Sequence, residues 1–293
     1  MKTVVVLAGG DSPERKVSLH SGAGVARALK ETGFAVKVLD PIKPDFPEKL
    51  LDVKNIYAVF IALHGGQGED GTIQGFLETL GLPYTGSGIL ASALAMDKII
   101  LKQLLISAGL PVPPACHPPS FPLVVKPAHG GSTLGISIVK RKTDLVSALE
   151  LARKYDARIL IEKFIPGNEI TIGILGNENP RILPAVQIVP AGGFYDYQAK
   201  YTPGGSRHLI PPELPRKWVS QAGKVVLAAH RLLGCRGFSR SEVIIDQKGK
   251  PYLLDVNTIP GFTATSLFPE AAAAAGISFG ELTGQLVELA REK

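Results

Sequence analysis

Arg240 and Glu242, then Asp255 and Asn257, are two pairs of polar residues at two-residue spacing near the end of the chain. Side chains two apart share one face of a β-strand. The positions around them (Val243, Ile244, Ile245, Leu253, Leu254 and Val256) are apolar. Two carboxylates and an amide on one face suit Mg2+, a hard cation that takes oxygen ligands and retains nucleotide phosphates. The plainer alternative is a cross-strand charge pair on a solvated sheet. The following turn, Pro260-Gly261-Phe262-Thr263, can bring backbone N–H groups to the same point.

Four further groups can do chemistry. Lys126 precedes the glycine-rich run His129–Gly135, which contains Ser132. Such a run lets backbone N–H groups turn toward an anion, although no Gly-Lys-Ser/Thr closes it as in a Walker loop. It can equally be a hairpin turn without a ligand. Glu162, Lys163, Phe164 and Ile165 end one strand, and Glu169 opens the next. Backbone beside apolar side chains can hold an adenine, and a carboxylate seven residues on can take ribose hydroxyls. Ordinary surface carboxylates are the alternative. Glu14 and His64 each follow an early strand, where a carboxylate can hold a substrate ammonium or simply favour a helix N-terminus. Last, Phe194–Tyr201 (FYDYQAKY) places aromatics in a polar segment, as a lid that excludes water would, or as a disordered loop.

The elements that must position these groups come in three stretches. Thr3–Ala8 reads as a buried strand ending at Gly9-Gly10. A helix over Val17–Glu31 closes at Gly33, a strand follows at Ala35–Leu39 and another at Tyr57–Ala62, and a helix spans Gly71–Leu80. Strands alternating with helices indicate a parallel sheet, whose ligands collect at the carboxyl ends of the strands. Met96–Ala108 is read as one helix and Pro111–Pro122 as a linker. Then come strands at Leu123–Lys126, Ile136–Val139, Arg158–Glu162 and Glu169–Leu175, with a helix at Thr143–Lys154. The last stretch is a strand over Ile182–Val189, a long polar segment over Ala191–Pro212 and a helix over Leu214–Leu233. A hairpin of Ser241–Asp246 with Pro251–Val256 follows, then helices near Leu267–Ala275 and Ser278–Arg291. The expected division is residues 1–96, 97–180 and 181–293.

Bulk properties narrow the class. With 293 residues the chain exceeds one ordinary core. No apolar run approaches the ~20 residues of a membrane helix, and the opening strand has no cleavage pattern behind it. Two cysteines far apart, Cys116 and Cys235, argue against a disulfide scaffold and for a reduced, cytoplasmic protein. The net charge of +6 contains no block of five like charges, and no RNA-binding signature accompanies it, so nucleic acid is not an expected partner.

Taken together the chain resembles the D-alanine–D-alanine ligases of the ATP-grasp superfamily. The resemblance runs from Val4 to Leu289. It rests on Ser12–Ser18 (SPERKVS), Phe60–Gly75 (FIALHGGQGEDGTIQG), Leu82–Lys98 (LPYTGSGILASALAMDK), Val125–Gly135, Leu160–Phe164, Phe194–Tyr201 and Leu253–Ser266 (LLDVNTIPGFTATS). It implies α/β and α+β architecture: an N-terminal parallel-sheet domain, a small central α+β domain and a C-terminal α+β domain, with ATP between the last two. It implies that Glu14 holds the first D-alanine's ammonium, with His64 nearby. Ser132 and Tyr201 complete a hydrogen-bonded triad with Glu14. Lys98, Lys126, Lys200 and Ser132 contact ATP phosphates. Glu162, Lys163 and Ile165 contact adenine, and Glu169 the ribose. Arg240 and the Gly261 N–H form an oxyanion hole, and Ser266 meets the second D-alanine's carboxylate. Glu242, Asp255 and Asn257 hold two Mg2+ ions, for which Mn2+ can substitute. The product is D-alanyl-D-alanine, made through a D-alanyl phosphate for peptidoglycan precursor synthesis, and the family is commonly homodimeric.

Two departures stand out. The family usually has Asp where this chain has Glu242 and Glu where it has Asp255; total charge is unchanged, so Mg2+ binding is expected to survive. The Cys116–Pro122 segment is short and lacks a helix before the Lys126 strand. Three rival readings remain: a ligase taking D-lactate or D-serine, against which Lys200-Tyr201 argues; a nicotinamide-dependent dehydrogenase, which lacks its Gly-x-Gly-x-x-Gly; and a pseudoenzyme that binds ATP without turnover.

Overall fold

A computed structural model describes residues 2–192, 204–263 and 265–292. The expected lid Phe194–Tyr201, with Lys200 and Tyr201, lies outside them. The chain opens with β1 (Thr3–Leu7), α1 (Arg15–Glu31), β2 (Ala35–Leu39), α2 (Phe46–Leu51), β3 (Ile56–Ile61) and α3 (Thr72–Thr79). β2, β1 and β3 form a parallel sheet in that order, so the central strand is the first. β1 is an unbroken β-branched and aliphatic run because both of its faces are covered, as in parallel sheets generally. Val4, Val6 and Phe60 face a core shared with α1, while Val5, Leu7 and Ile61 face another shared with Leu50 and Leu77. α1 lies close on β1: a Cβ at Gly22 would stand 2.3 Å from the Ala8 Cβ.

Next come α4 (Ile89–Met96), α5 (Lys98–Ser107), β4 (Leu123–Pro127), β5 (Ser137–Val139), α6 (Leu145–Arg153) and β6 (Ile159–Lys163). The helix expected over Met96–Ala108 is α5, beginning two residues later, and α4 before it was not read from the sequence. The break falls at Asp97, whose backbone is extended and whose carboxylate caps α5 by accepting from Ile99 and Ile100 N–H. An N-cap aspartate satisfies backbone donors that would otherwise be orphaned. β5, β4 and β6 form a small antiparallel sheet covered by α6 through Leu123, Val125, Ala148 and Ala152.

The remaining elements are β7 (Gly167–Leu175), β8 (Arg181–Ile182), β9 (Val186–Pro190), β10 (Ser206–Leu209), α7 (Arg216–Leu232), β11 (Phe238–Asp246), β12 (Pro251–Leu253), α8 (Leu267–Ala274) and α9 (Phe279–Leu289). The strand expected over Ile182–Val189 is split around Pro184, which has no N–H to give to a ladder. β10 falls in the segment read from sequence as an irregular loop. These strands build an antiparallel sheet in the order β10-β9-β7-β11-β12, with β8 on the end of β7. One face packs on α7 through Ile170, Ile172, Ile174 and Val226. The other joins the N-terminal core through Leu175, Val186 and Phe238.

The hairpin of β11 and β12 carries an irregularity that two-residue alternation did not anticipate. Val243 pairs with Leu253, yet Arg240 bridges Asn257. Three steps back along β11 (243 to 240) face four steps along its partner (253 to 257), which is one extra residue and defines a β-bulge. Among the described residues no helix is long and apolar enough to cross a membrane.

The aromatic cluster that joins the sheets gives a direct test. Phe238 is 1% exposed, and its ring lies 5.8 Å from Phe262 and 5.5 Å from Phe268. Phe238→Ala is expected to cost about 3–5 kcal/mol, read as a lowered urea midpoint at unchanged slope. A loss below about 1 kcal/mol would mean that this core does not hold the two sheets together.

Candidate active site

The expected site residues gather around two neighbouring cavities. The first, about 820 Å3, is lined by Glu14, His64, Ser132, Arg240, Asn257, Gly261 and Ser266. The second, about 360 Å3, is lined by Lys98, Lys126, Glu162, Lys163, Ile165, Glu169, Glu242 and Asp255, with apolar walls that include Val124, Ile138 and Ile244. Its size and lining fit a small molecule with one apolar and one charged end.

In the first cavity Glu14 ends the turn before α1, and its carboxylate accepts from the Ser132 hydroxyl across 118 positions of sequence. Ser132 and Thr133 both have left-handed backbone (φ 51° and 61°). Non-glycine residues adopt that region at a cost of about 1 kcal/mol or more each, and such strain concentrates at functional sites. Gly65 is also left-handed, and a Cβ there would stand 2.7 Å from the Glu14 carboxylate. A glycine is therefore needed on structural grounds where the two loops meet. Loops after β1, β3 and β4 thus meet at Glu14.

His64 is 3% exposed and has partners for both ring nitrogens: Ser21 Oγ at 2.9 Å from Nε2 and the Ile259 carbonyl at 3.3 Å from Nδ1. The tautomer assigned by this network has Nδ1–H donating to Ile259, with Nε2 accepting from Ser21. Ser21 in turn accepts from Phe262 N–H at 3.3 Å. His64 therefore ties the parallel sheet to the Gly261 turn. Ser266 Oγ accepts from Thr263 N–H at 3.0 Å and closes that turn over the N-terminus of α8.

The four polar residues of the hairpin divide between the cavities. Arg240 Nη2 donates to Glu242 Oε1 at 3.0 Å, and Glu242 N–H donates to Asp255 Oδ1 at 3.1 Å. Asn257 Oδ1 accepts from Ile259 N–H at 2.8 Å. Glu242 and Asp255 line the smaller cavity, while Arg240 and Asn257 line the larger. The extra residue before Asn257 sets it opposite Arg240, so that the two pairs of polar residues share a face. Two carboxylates and an amide, all oxygen donors, fit a hard divalent cation.

Residues 40–87 match the family described as D-ala D-ala ligase N-terminus, and residues 114–288 match D-ala D-ala ligase C-terminus. The chain belongs to the D-alanine–D-alanine ligase family. It is 49% identical to the D-alanine–D-alanine ligase of Pelotomaculum thermopropionicum, with 99% of this chain and 96% of that one covered. It is 47% identical to that of Desulforudis audaxviator, with both chains covered completely. The crystal structure of the Bacillus anthracis D-alanine–D-alanine ligase complexed with ATP superposes with a TM-score of 0.85 at 33% identity, over 99% of this chain and 98% of that one.

Within this ligase fold one group escaped the sequence reading. Lys102 is 7% exposed, and its Nζ lies 2.5 Å from Glu162 Oε1; Lys126 Nζ lies 2.5 Å from Glu162 Oε2. Burial pushes the Glu162 carboxyl up, but Lys126 and Lys102 outweigh that and hold it below its ordinary range. Glu162 therefore turns its side chain toward two lysines and fixes Lys126 at the cavity wall. The missed signal was spacing: Lys98 and Lys102 stand four apart and share a face of α5.

Lys98 faces the same cavity. Its ammonium donates to the Gly130 carbonyl of the glycine loop, and its N–H donates to the Ala128 carbonyl at 3.0 Å. Burial and the nearby Lys126 push its pKa down to about 8, against the pull of Asp255, Glu69 and Glu242. A bound polyphosphate would raise it again. Below about pH 8 the lysine is charged whether the cavity is empty or filled, and affinity is insensitive to this group. Above it the empty site has lost a proton that the filled site keeps, so binding takes up a proton and affinity falls as pH rises, by up to about tenfold per pH unit. Calorimetry with ATP as probe at about pH 9, in two buffers of different ionisation enthalpy, reads that uptake. Identical apparent heats in the two buffers would contradict it.

Proposed function

We propose that this chain carries out its family's reaction, the ATP-dependent joining of two D-alanine molecules into D-alanyl-D-alanine for peptidoglycan precursors. The observation that supports it most directly is the pair of cavities meeting at the β11–β12 bulge, one lysine-walled with an apolar end, the other built around Glu14, Arg240 and Gly261. The reading assigns the substrate unit to residues 1–96, the central unit to 97–180 and the catalytic unit to 181–293. β7 hydrogen-bonds the central unit into the catalytic sheet. It makes the protein a cytoplasmic homodimer.

The chemistry follows from the need to activate a carboxylate. ATP lies in the smaller cavity with its adenine near Lys163 and Ile165, its ribose near Glu169 and its phosphates near Lys98, Lys126, Ser132 and Lys200. Glu14, supported by Ser132 and Tyr201, holds the ammonium of the first D-alanine and so aims its carboxylate toward the phosphates. That carboxylate takes the γ-phosphoryl group, giving an acyl phosphate and ADP, and the lysines offset the moving charge. The second D-alanine, its carboxylate on Ser266, attacks the acyl carbon. Arg240 and the Gly261 N–H stabilise the oxyanion, and phosphate leaves. A lid role for the Phe194–Tyr201 segment suits this chemistry, because water would otherwise hydrolyse the acyl phosphate. Glu242, Asp255 and Asn257 would hold Mg2+, with Mn2+ as a substitute. When bound, the metal neutralises phosphate charge and polarises the transferring group.

The first experiment incubates the protein with ATP, Mg2+ and D-alanine, and follows phosphate and dipeptide by mass spectrometry. L-alanine, D-lactate and D-serine mixtures run alongside. D-alanyl-D-alanine in step with phosphate is expected; tight ATP binding without product would overturn the reading. Glu242→Ala and Asp255→Ala are each expected to abolish turnover, and a near-normal rate in either would refute the metal assignment.

A further inference from the structure

The joining step has an unassigned proton. The second D-alanine arrives as an ammonium and has no lone pair until it loses one. Near neutral pH a base in the larger cavity must take it. The basic groups around that cavity are mostly engaged. Glu14 accepts from Ser132, both His64 nitrogens are bonded within the fold, and Glu69 Oε1 accepts from Gly65 N–H at 3.0 Å. Arg240 faces the cavity as a cation, and His20, Arg27 and Glu31 line the same cavity along α1.

His208 also has partners at both ring nitrogens, but its Nδ1 partner is a carboxylate, its Nε2 contact is long, and it is partly exposed. It lines the same cavity as Arg240, Gly261 and Ser266 and stands on β10, the edge strand that follows the Phe194–Tyr201 segment. Its Nδ1 lies 2.7 Å from Glu270 Oε2, and its Nε2 lies 3.3 Å from Ser206 Oγ. Glu270 sits in the first turn of α8, and its N–H donates to the Ser266 carbonyl at 2.9 Å. One helix turn thus holds both the expected carboxylate contact and the carboxylate that orients the imidazole. A carboxylate on Nδ1–H fixes the tautomer in which Nε2 is a proton acceptor. The pair is partly exposed, at 24% for the histidine and 27% for the glutamate, so an incoming amine can reach it.

We infer that His208, oriented by Glu270, is the general base that deprotonates the second D-alanine. This rests on the ligase reading above. The ammonium gives one proton to His208 Nε2, and the freed lone pair forms the C–N bond at the acyl carbon. The tetrahedral adduct breaks its C–O bond to phosphate, which departs with the second nitrogen-bound proton. His208 returns its proton to solvent.

Hydroxylamine, neutral near neutral pH, separates this role from a structural one, because it captures the acyl phosphate as a hydroxamate without needing a base. His208→Gln is expected to lose about 100-fold or more in dipeptide formation while hydroxamate formation from D-alanine and ATP stays within about twofold of the native rate. The dipeptide deficit should shrink as rising pH deprotonates D-alanine in solution. Glu270→Gln should show the same selectivity, with a loss of about tenfold. Equal losses with both acceptors, or undiminished dipeptide formation in both variants, would overturn the proposal. A native enzyme that makes neither dipeptide nor hydroxamate would refute the ligase reading itself. Should His208→Gln not fold, Glu270→Gln alone decides by the same comparison of acceptors.

Discussion

Between Leu253 and Asn257 the chain takes one more residue than the facing stretch of β11, and the geometry of both cavities depends on that mismatch. Val243 faces Leu253, so regular pairing would set Ser241 against Asp255 and leave Asp255 and Asn257 on the face opposite Arg240 and Glu242. The bulge brings Asn257 opposite Arg240 instead, and Glu242 and Asp255 line the smaller cavity while Arg240 and Asn257 line the larger. The nine residues of β11 are paired along their length with β7. The bulge is therefore set against a rigid strand and cannot relax by sliding.

Charge is organised around this frame as two opposed walls. Lys98, Lys102 and Lys126 come from α5 and β4; Glu242 and Asp255 come from the hairpin. Glu162 sits among the lysines and holds two of them directly. An unpaired charge in such a setting is expensive, and the buried Lys102 is paired with Glu162. Lys98 shows the other side of the same arrangement: burial first, and then the neighbouring Lys126, lower its pKa against the pull of Asp255, Glu69 and Glu242.

Much of this was legible in the sequence, for identifiable reasons. β1, β2 and β3 announce themselves as short aliphatic runs bounded by glycine and turn residues. The glycine loop, the Glu162–Glu169 pair and the four hairpin residues were found by type and spacing. What escaped depended on three-dimensional context. α4 is eight residues between Gly88 and the capping Asp97, almost all apolar, and so shows no helical periodicity. α2 is only six residues long, too short for periodicity to reveal. β10 is polar and short, and it is a strand because β9 offers it an edge. The bulge cannot be read from alternation, since it is a departure from it. Glu270 and His208, 62 positions apart, share no local motif at all.

The hydrogen bond from Ser132 to Glu14 has a consequence for the empty enzyme. A mostly buried carboxylate awaiting a cationic guest would ordinarily be poorly solvated, and the structure would be under pressure to protonate it or collapse around it. Here the hydroxyl of a left-handed loop residue supplies a donor to one carboxylate oxygen. The loop that faces the phosphate cavity thereby also sets where the first substrate's ammonium sits, so a displacement of that loop would be felt in both cavities at once.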